Sequence, residues 1–331
     1  MALLNSSVAT LADMAKRTDP TGKIPTIVEL LAQTNPLLED MKWLEGNLAT
    51  GHRTTVRTGL PNVDFRALNE GVTPSKSTTA QIDEGCGMLE ALSQVDVDLA
   101  MLNGNTDAFR LSEAQAFIEA MNQRMTFTTL YGNATTSPKA FNGFATRYNS
   151  LSGATGQNII SGGGSGSDNA SIYLVVWGQN TVHGIYPKGS TAGLVHEDLK
   201  EQLVQTTTGI GSGMLKAFVD RWQWKCGLAV KDWRYVVRIA NIDISNLVAE
   251  SSAADLTKLM IRAIHRIPAL GMGTPVFYAS RSVRQMLDIQ ALNKASSQLT
   301  LETFSGKRVT AFQGIPIRTV DQLLETEATV A

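Results

Sequence analysis

The chain has 331 residues, beyond the size at which a single core usually stops growing, so two domains or one domain with large excursions are expected. Hydrophobic residues make up 43% and charged residues 18%, as in an ordinary globular protein. With 29 basic against 30 acidic residues the net charge is -1, which gives no bulk field for gripping nucleic acid through its phosphates.

Residues 1–45 read as short helical pieces cut by prolines. Leu4, Val8, Leu11 and Ala15 share one face, Asp19-Pro20 closes the piece, and a second starts at Pro25 with Ile27, Leu30 and Leu31. Each stripe is too short for its own core, so this arm must lie on the chain's own body or on a neighbouring copy. Residues 46–80 favour extended structure, yet Arg53, Thr55 and Arg57 point to one side and His52, Thr54, Val56 and Thr58 to the other. Neither face suits a core, and such a strand gains stability by pairing with another edge. The expectation is a protruding hairpin loop, with a disordered surface loop as the alternative.

Gln94–Leu99 alternates, with Val95, Val97 and Leu99 inward and Asp96 and Asp98 outward, as in a half-buried strand. Thr106–Tyr131 then predicts a helix with Ala114, Phe117, Ile118, Met121 and Met125 on one face and Arg110, Glu113, Glu119, Gln123 and Arg124 opposite. Thr106 can cap it and Gly132-Asn133 can stop it, although Ser112 and Gln115 also match a capping box. At 1.5 Å per residue it would be about 39 Å long. The run at 172–177 suits a strand buried on both faces. Residues 215–242 predict a hairpin turning at Lys231-Asp232, with Trp222, Trp224 and Cys226 alternating on one arm and Arg234 and Arg238 on a solvated face of the other. A helix follows from a cap near Ser252 to Pro268, then a buried strand at 276–279, a helix after Ser280, and strands on either side of Gly314. This mixed order indicates the α+β class.

Chemistry finds little foothold. Gly162–Gly166 precedes a strand rather than opening a helix, so it fails the requirement for a phosphate loop, and Gly209–Gly213 reads as a hairpin tip. His52, His183, His196 and His265 form no metal-ligand spacing, and His196-Glu197-Asp198 reads as a solvated loop. Cys86 and Cys226 belong to no ligand motif and suit a reducing cytoplasm. No nucleophile elbow, signal peptide or membrane-length apolar window is present. No catalytic, cofactor or metal residues are assigned. The Trp/Arg content of 215–242 could serve single-stranded nucleic acid, but alternation favours core packing.

Three stretches, LYGNATTSPKAFNGFATRY (130–148), WGQNTVHGIYPKGSTAGLVHEDL (177–199) and DWRYVVRIANIDIS (232–245), with GIPIRTVDQLL (314–324), resemble the major capsid protein of a family of tailed bacteriophages. The resemblance covers most of the chain from about residue 25. It implies the Hong Kong 97-type capsid fold. The expected parts are an N-terminal arm at 1–45, an E-loop hairpin at 46–80 and a peripheral domain at 81–139 with a spine helix at 106–131. An axial domain at 140–310 and a C-terminal strand and tail at 311–331 complete it, with the 215–242 hairpin open to either domain. The implied role is a structural shell protein, not an enzyme, forming hexamers and pentamers of an icosahedral head around double-stranded DNA in the virion, assembled in the bacterial cytoplasm. Because the chain begins almost at its arm, scaffolding is expected from a separate protein. A portal protein and packaged DNA bound without sequence specificity are further expected partners, no membrane is, and a cement protein is compatible. Arg53, Arg57, Arg66 and Lys76 are the candidate intersubunit contacts. Lys76 is the only lysine of the proposed loop and has no recognisable acceptor, so non-covalent holding is expected. Two other readings stay open, an α+β enzyme with an unrecognised loop site and a nucleic-acid module using the Trp/Arg segment.

Overall fold

The computed structural model describes Ala9, Asp13, Met14, Lys16 and residues 32–331, apart from 105, 206–212, 251–252, 294–298 and 305–306. Of the expected arm helix around Leu4–Ala15 only Ala9, Asp13 and Met14 are described, the latter two helical; Pro25–Leu31, Ser252 and most of Gly209–Gly213 fall outside these residues. In chain order the strands are β1 Trp43–Glu45, β2 Gly51–Gly59, β3 Thr78–Gly85, β4 Gly87–Asp96, β5 Ile159–Ser161, β6 Asn169–Trp177 and β7 Val182–Tyr186. There follow β8 Leu194–Gln205, β9 Met214–Val230, β10 Val236–Asp243, β11 Thr274–Ala279, β12 Leu299–Phe304, β13 Lys307–Phe312 and β14 Ile315–Thr319. Contacts divide the chain into two compact units. One comprises Met1–Asn35, Met88–Phe127 and Gly193–Lys225, the other Pro36–Gly87, Thr128–Ala192 and Cys226–Ala331.

The second unit is built around β6, whose nine residues are all buried. It runs antiparallel to β10 and β11, and β11 runs parallel to β14. A strand with neighbours on both edges and cover on both faces has no wet side, which is why 172–177 reads as an unbroken apolar run. The helix Leu256–Arg266 packs on β10 and β5 through Leu256, Leu259, Met260, Ala263 and Ile264. Its cap is Asp255, whose carboxylate accepts the Lys258 N–H at 3.2 Å. Gln313 and Gly314, at φ of 51° and 78°, make the tight turn between β13 and β14.

The first unit holds the N-terminal part of β9 between β8 and β4. β4 ends at Asp96 rather than continuing to Leu99. The Asp96 carboxylate accepts the Asp98 N–H at 2.9 Å and caps a helical turn, Val97–Met101, so a capping signal overrides the alternation. The helix Thr106–Tyr131 has the expected span and passes from the first unit into the second after Phe127. The Ser112 hydroxyl donates to the Phe109 carbonyl at 2.8 Å within a continuous helix, so no break occurs there. Its expected stripe is only partly used. Met121 and Met125 are buried, but Ile118 is 43% exposed, and Phe109 joins Met14, Val95 and Ala100 in the core instead. Arg110, on the polar face of this helix, pairs with Asp198 and Asp220, each at 2.9 Å.

Three further expectations are corrected. His196, Glu197 and Asp198 lie in β8, not a loop, with a bulge following Asp198. The 215–242 segment does contain two strands, but they do not pair as a hairpin: β9 takes β7 and β8 as partners, while β10 takes β5 and β6. A short helical turn at Trp233–Tyr235, capped by Asp232, redirects the chain between them. Finally, Arg238 is not solvated. It is 4% exposed, donates to Glu327 at 2.8 Å, to the Tyr148 carbonyl at 2.7 Å and to the Ser171 hydroxyl at 3.0 Å. Glu327 also accepts from the hydroxyls of Ser171 and Tyr131, the latter at 2.5 Å, and so fastens the C-terminal segment to the sheet. Replacing Glu327 with Ala leaves a buried guanidinium without its counter-charge, and the expected loss is about 3–5 kcal/mol by denaturant unfolding of the subunit. A loss under about 1 kcal/mol would show that the pair does not hold the tail.

Candidate assembly surface

β2 and β3 form a two-stranded antiparallel sheet of their own, from the Gly51–Gly85 pair outward to Gly59–Thr78. The hairpin was expected at 46–80, but its return strand runs on to Gly85. The root is rigidly specified. A Cβ at Gly51 would sit 2.0 Å from the Glu84 carbonyl oxygen, so only glycine permits the strands to meet there. Glu84 is 7% exposed, and Arg147 grips its carboxylate with two hydrogen bonds of 2.7 and 2.6 Å. Arg147 also donates to the carbonyls of Leu228 and Asn142, which ties it into the body of the unit.

A second contact at the root joins two histidines. The rings of His52 on β2 and His183 on β7 meet edge-on with centroids 5.8 Å apart. His183 is fully buried; its Nδ1 lies 3.2 Å from the Gly184 carbonyl, and its Nε2 has no partner among the described residues. Burial, with the nearby charges of Lys231 and Lys42, pushes the His183 pKa down to about 4, opposed by the Gly184 hydrogen bond. The His52 pKa is lowered too, first by burial and then by Lys231, against the opposing charge of Glu84.

Farther out the hairpin stands on its own contacts. Arg53 spans the strands to Asp83 through two bonds of 2.6 Å, and this pairing depresses the Asp83 carboxyl and raises the guanidinium. Asn47 brackets the Arg53 backbone at 2.8 and 2.7 Å, and the hydroxyls of Thr58 and Thr78 meet at 3.1 Å. Beyond them residues 60–80 are all exposed. Leu60, Val63, Phe65 and Leu68 are 79%, 87%, 107% and 92% exposed, and Val72 is 49% exposed.

Of the expected contact residues, Arg53 is committed to Asp83 within the hairpin. Arg57, Arg66 and Lys76 are exposed and make no ion pair among the described residues. Sequence reading overlooked the apolar loop because Leu60, Val63, Phe65, Leu68 and Val72 follow no helical or strand period. Their presence in a stretch broken by Pro61 and Gly71 was the available signal.

Nucleophile and metal chemistry find no support in the geometry. Burial raises the Cys86 thiol to about 11 and the Cys226 thiol higher still, so neither is an activated thiolate. Among the described residues no three His, Cys, Asp or Glu side chains converge as metal ligands, and no helix is long and apolar enough to cross a membrane.

A family model for the major capsid protein GP7 matches residues 19–331. The chain belongs to this family. A solved structure of bacteriophage Epsilon15 is 35% identical over 100% of this chain and 99% of that one, with a TM-score of 0.79. The capsid of a native GTA particle, at 11% identity, covers 72% of this chain and 99% of its own with a TM-score of 0.46. The bacteriophage JBD30 capsid, at 8% identity, covers 89% of this chain and 92% of its own with a TM-score of 0.48. These last two add nothing to the assignment. No curated protein sequence matches. The fold is therefore the Hong Kong 97-type, and the chain is a structural virion component that assembles with copies of itself in a phage capsid rather than an enzyme.

Burial of His183 is expected to make subunit stability depend on acid. His183 binds its proton less readily when folded than when unfolded, so its contribution is intact above about pH 6.5 and is lost as pH falls toward 4. Urea unfolding of dissociated subunits should show stability falling across that window, by on the order of 3 kcal/mol from this group. His183→Gln should flatten that fall, and an unchanged pH profile in the variant would remove His183 as its source.

Proposed function

We propose that the Gly51–Gly85 hairpin is the E-loop of this capsid subunit and that its apolar tip is buried against a neighbouring copy in the shell. The observation that carries this reading is the exposure of Leu60, Val63, Phe65 and Leu68, each at least 79%. Large apolar side chains clustered on one exposed projection mark a contact surface, and a chain that assembles with its own copies provides the cover. Arg57, Arg66 and Lys76 then serve as rim contacts to a neighbour's carboxylates, while Arg53 stiffens the hairpin from within.

In the same reading residues 1–45 are the arm and Thr106–Tyr131 is the spine helix of a peripheral domain. Contacts group Gly193–Lys225 with Met88–Phe127, which supports extending the peripheral domain to that segment. The axial domain comprises the rest of 140–310, and 311–331 closes the chain. The assemblies are hexamers and pentamers of an icosahedral head enclosing double-stranded DNA. A separate scaffolding protein and a portal protein complete the partners, and an external cement protein is compatible with the surface.

Replacing Phe65 and Leu68 together with Ser removes two apolar contacts of about 1.5–3 kcal/mol each from every loop that is buried in the shell. Subunit unfolding should be unchanged, because both side chains are solvated in the subunit. Shell yield, counted in electron micrographs or by sedimentation, should fall sharply. Normal yield of shells with normal stability would reject the loop assignment.

A further inference from the structure

One helical face of the second unit is predominantly basic. On the helix Leu256–Arg266 the face opposite the buried residues presents Lys258, Arg262, His265 and Arg266, all exposed. They recur at the i, i+4, i+7, i+8 spacing of one helical face, and the helix has no acidic residue. Asp255 at the cap pairs with Lys258 at 3.2 Å and accepts from the Thr257 hydroxyl at 2.7 Å. Arg266 holds the carbonyls of Gln157 and Ile159, the latter at 2.8 Å, and makes no ion pair among the described residues. Burial, and then the charge of Arg262, lower the Arg266 pKa. His265 and Arg266 offset the helix dipole at its C-terminal end, but Arg262 lies a turn earlier and makes no ion pair among the described residues.

The segment gripped by Arg266 is uncharged as well. Between Arg147 and Asp168 the chain has no acidic or basic residue and consists largely of Ser, Gly, Asn and Thr. The nearby Asp232 is already paired with Arg234 at 2.7 Å. Neither the helix nor residues 149–157 carry Phe, Tyr or Trp, so these two segments offer no platform on which bases could stack. Guanidinium groups beside small uncharged side chains suit phosphate oxygens.

We infer that Arg262, His265 and Arg266, with the adjoining segment 149–157, form a sequence-independent contact for the phosphate backbone of duplex nucleic acid. The inference rests on the shell reading above, in which such a polyanion is enclosed. A weak local contact on a chain of net charge -1 holds a duplex without immobilising it.

The test measures binding of a mixed-sequence duplex DNA to purified full-length subunits by fluorescence anisotropy over a salt series. Arg262→Gln should weaken binding at low salt and reduce the slope of log K against log salt by about one unit, while Arg262→Lys should keep the slope. Arg266 is left unchanged because it supports the fold. No DNA binding by the wild type, or equal affinity and slope in Arg262→Gln, overturns the inference. Displacement of DNA by polyglutamate at matched charge as readily as by unlabelled duplex also overturns it, by assigning the surface to an acidic protein. Micrographs of wild-type and Arg262→Gln shells keep the two readings apart. Shells with an unchanged DNA slope reject this contact alone, whereas failure of the wild type to form shells rejects the shell reading whatever the slope.

Discussion

The buried ion pair between Glu84 and Arg147 sets the terms for the functional surface. Glu84 is a carboxylate at 7% exposure, and burial of such a charge is costly unless a counter-ion and hydrogen bonds meet it. Arg147 supplies both with two bonds to the carboxylate, and its contacts to Asn142 and Leu228 tie the pair into the unit. The close backbone approach at Gly51 reinforces the same point. A hairpin fixed this firmly at one end can hold apolar side chains away from its own core. A flexible tether would let those side chains collapse onto the nearest apolar surface.

The opposite solution operates at the C-terminus. Glu327 meets Arg238, Ser171 and Tyr131 in a buried network, so the tail is drawn in rather than projected. Both networks use a carboxylate and an arginine far apart in sequence, and both have few unused donors. One holds a projecting element at a defined place, and the other closes the sheet around β6. In the first unit the cluster of Arg110, Asp198 and Asp220 does the same for the long helix and the β8–β9 pair.

Local signals were legible where they coincided with the burial that the fold imposes. The apolar run of β6, the span of the long helix, the turn at Gly314 and the two-sided polar strand β2 all have a chemical pattern that permits few conformations. The resemblance in long segments then supplied the fold family. What could not be read was pairing across distance. Trp222 and Ile239 sit on strands that look like partners because a turn-compatible Lys231-Asp232 separates them, yet each strand finds a better neighbour elsewhere. Arg238 looked solvated because its partner, Glu327, lies 89 residues away. The alternation at Val95–Leu99 misled for a different reason: Asp96 can act as a strand residue or as a cap, and the cap prevailed. The candidate surface was half legible. Its hairpin was expected and its arginines were named, but the aperiodic apolar tip went unrecognised.

The central claim is that residues 60–72, solvated in the subunit, become buried between copies in the shell. Amide hydrogen exchange compared between dissociated subunits and assembled shells tests it directly. The account predicts fast exchange across this segment in subunits and strong protection in shells, with the already paired root near Glu84 changing little. Equal, fast exchange of residues 60–72 in both states would contradict it.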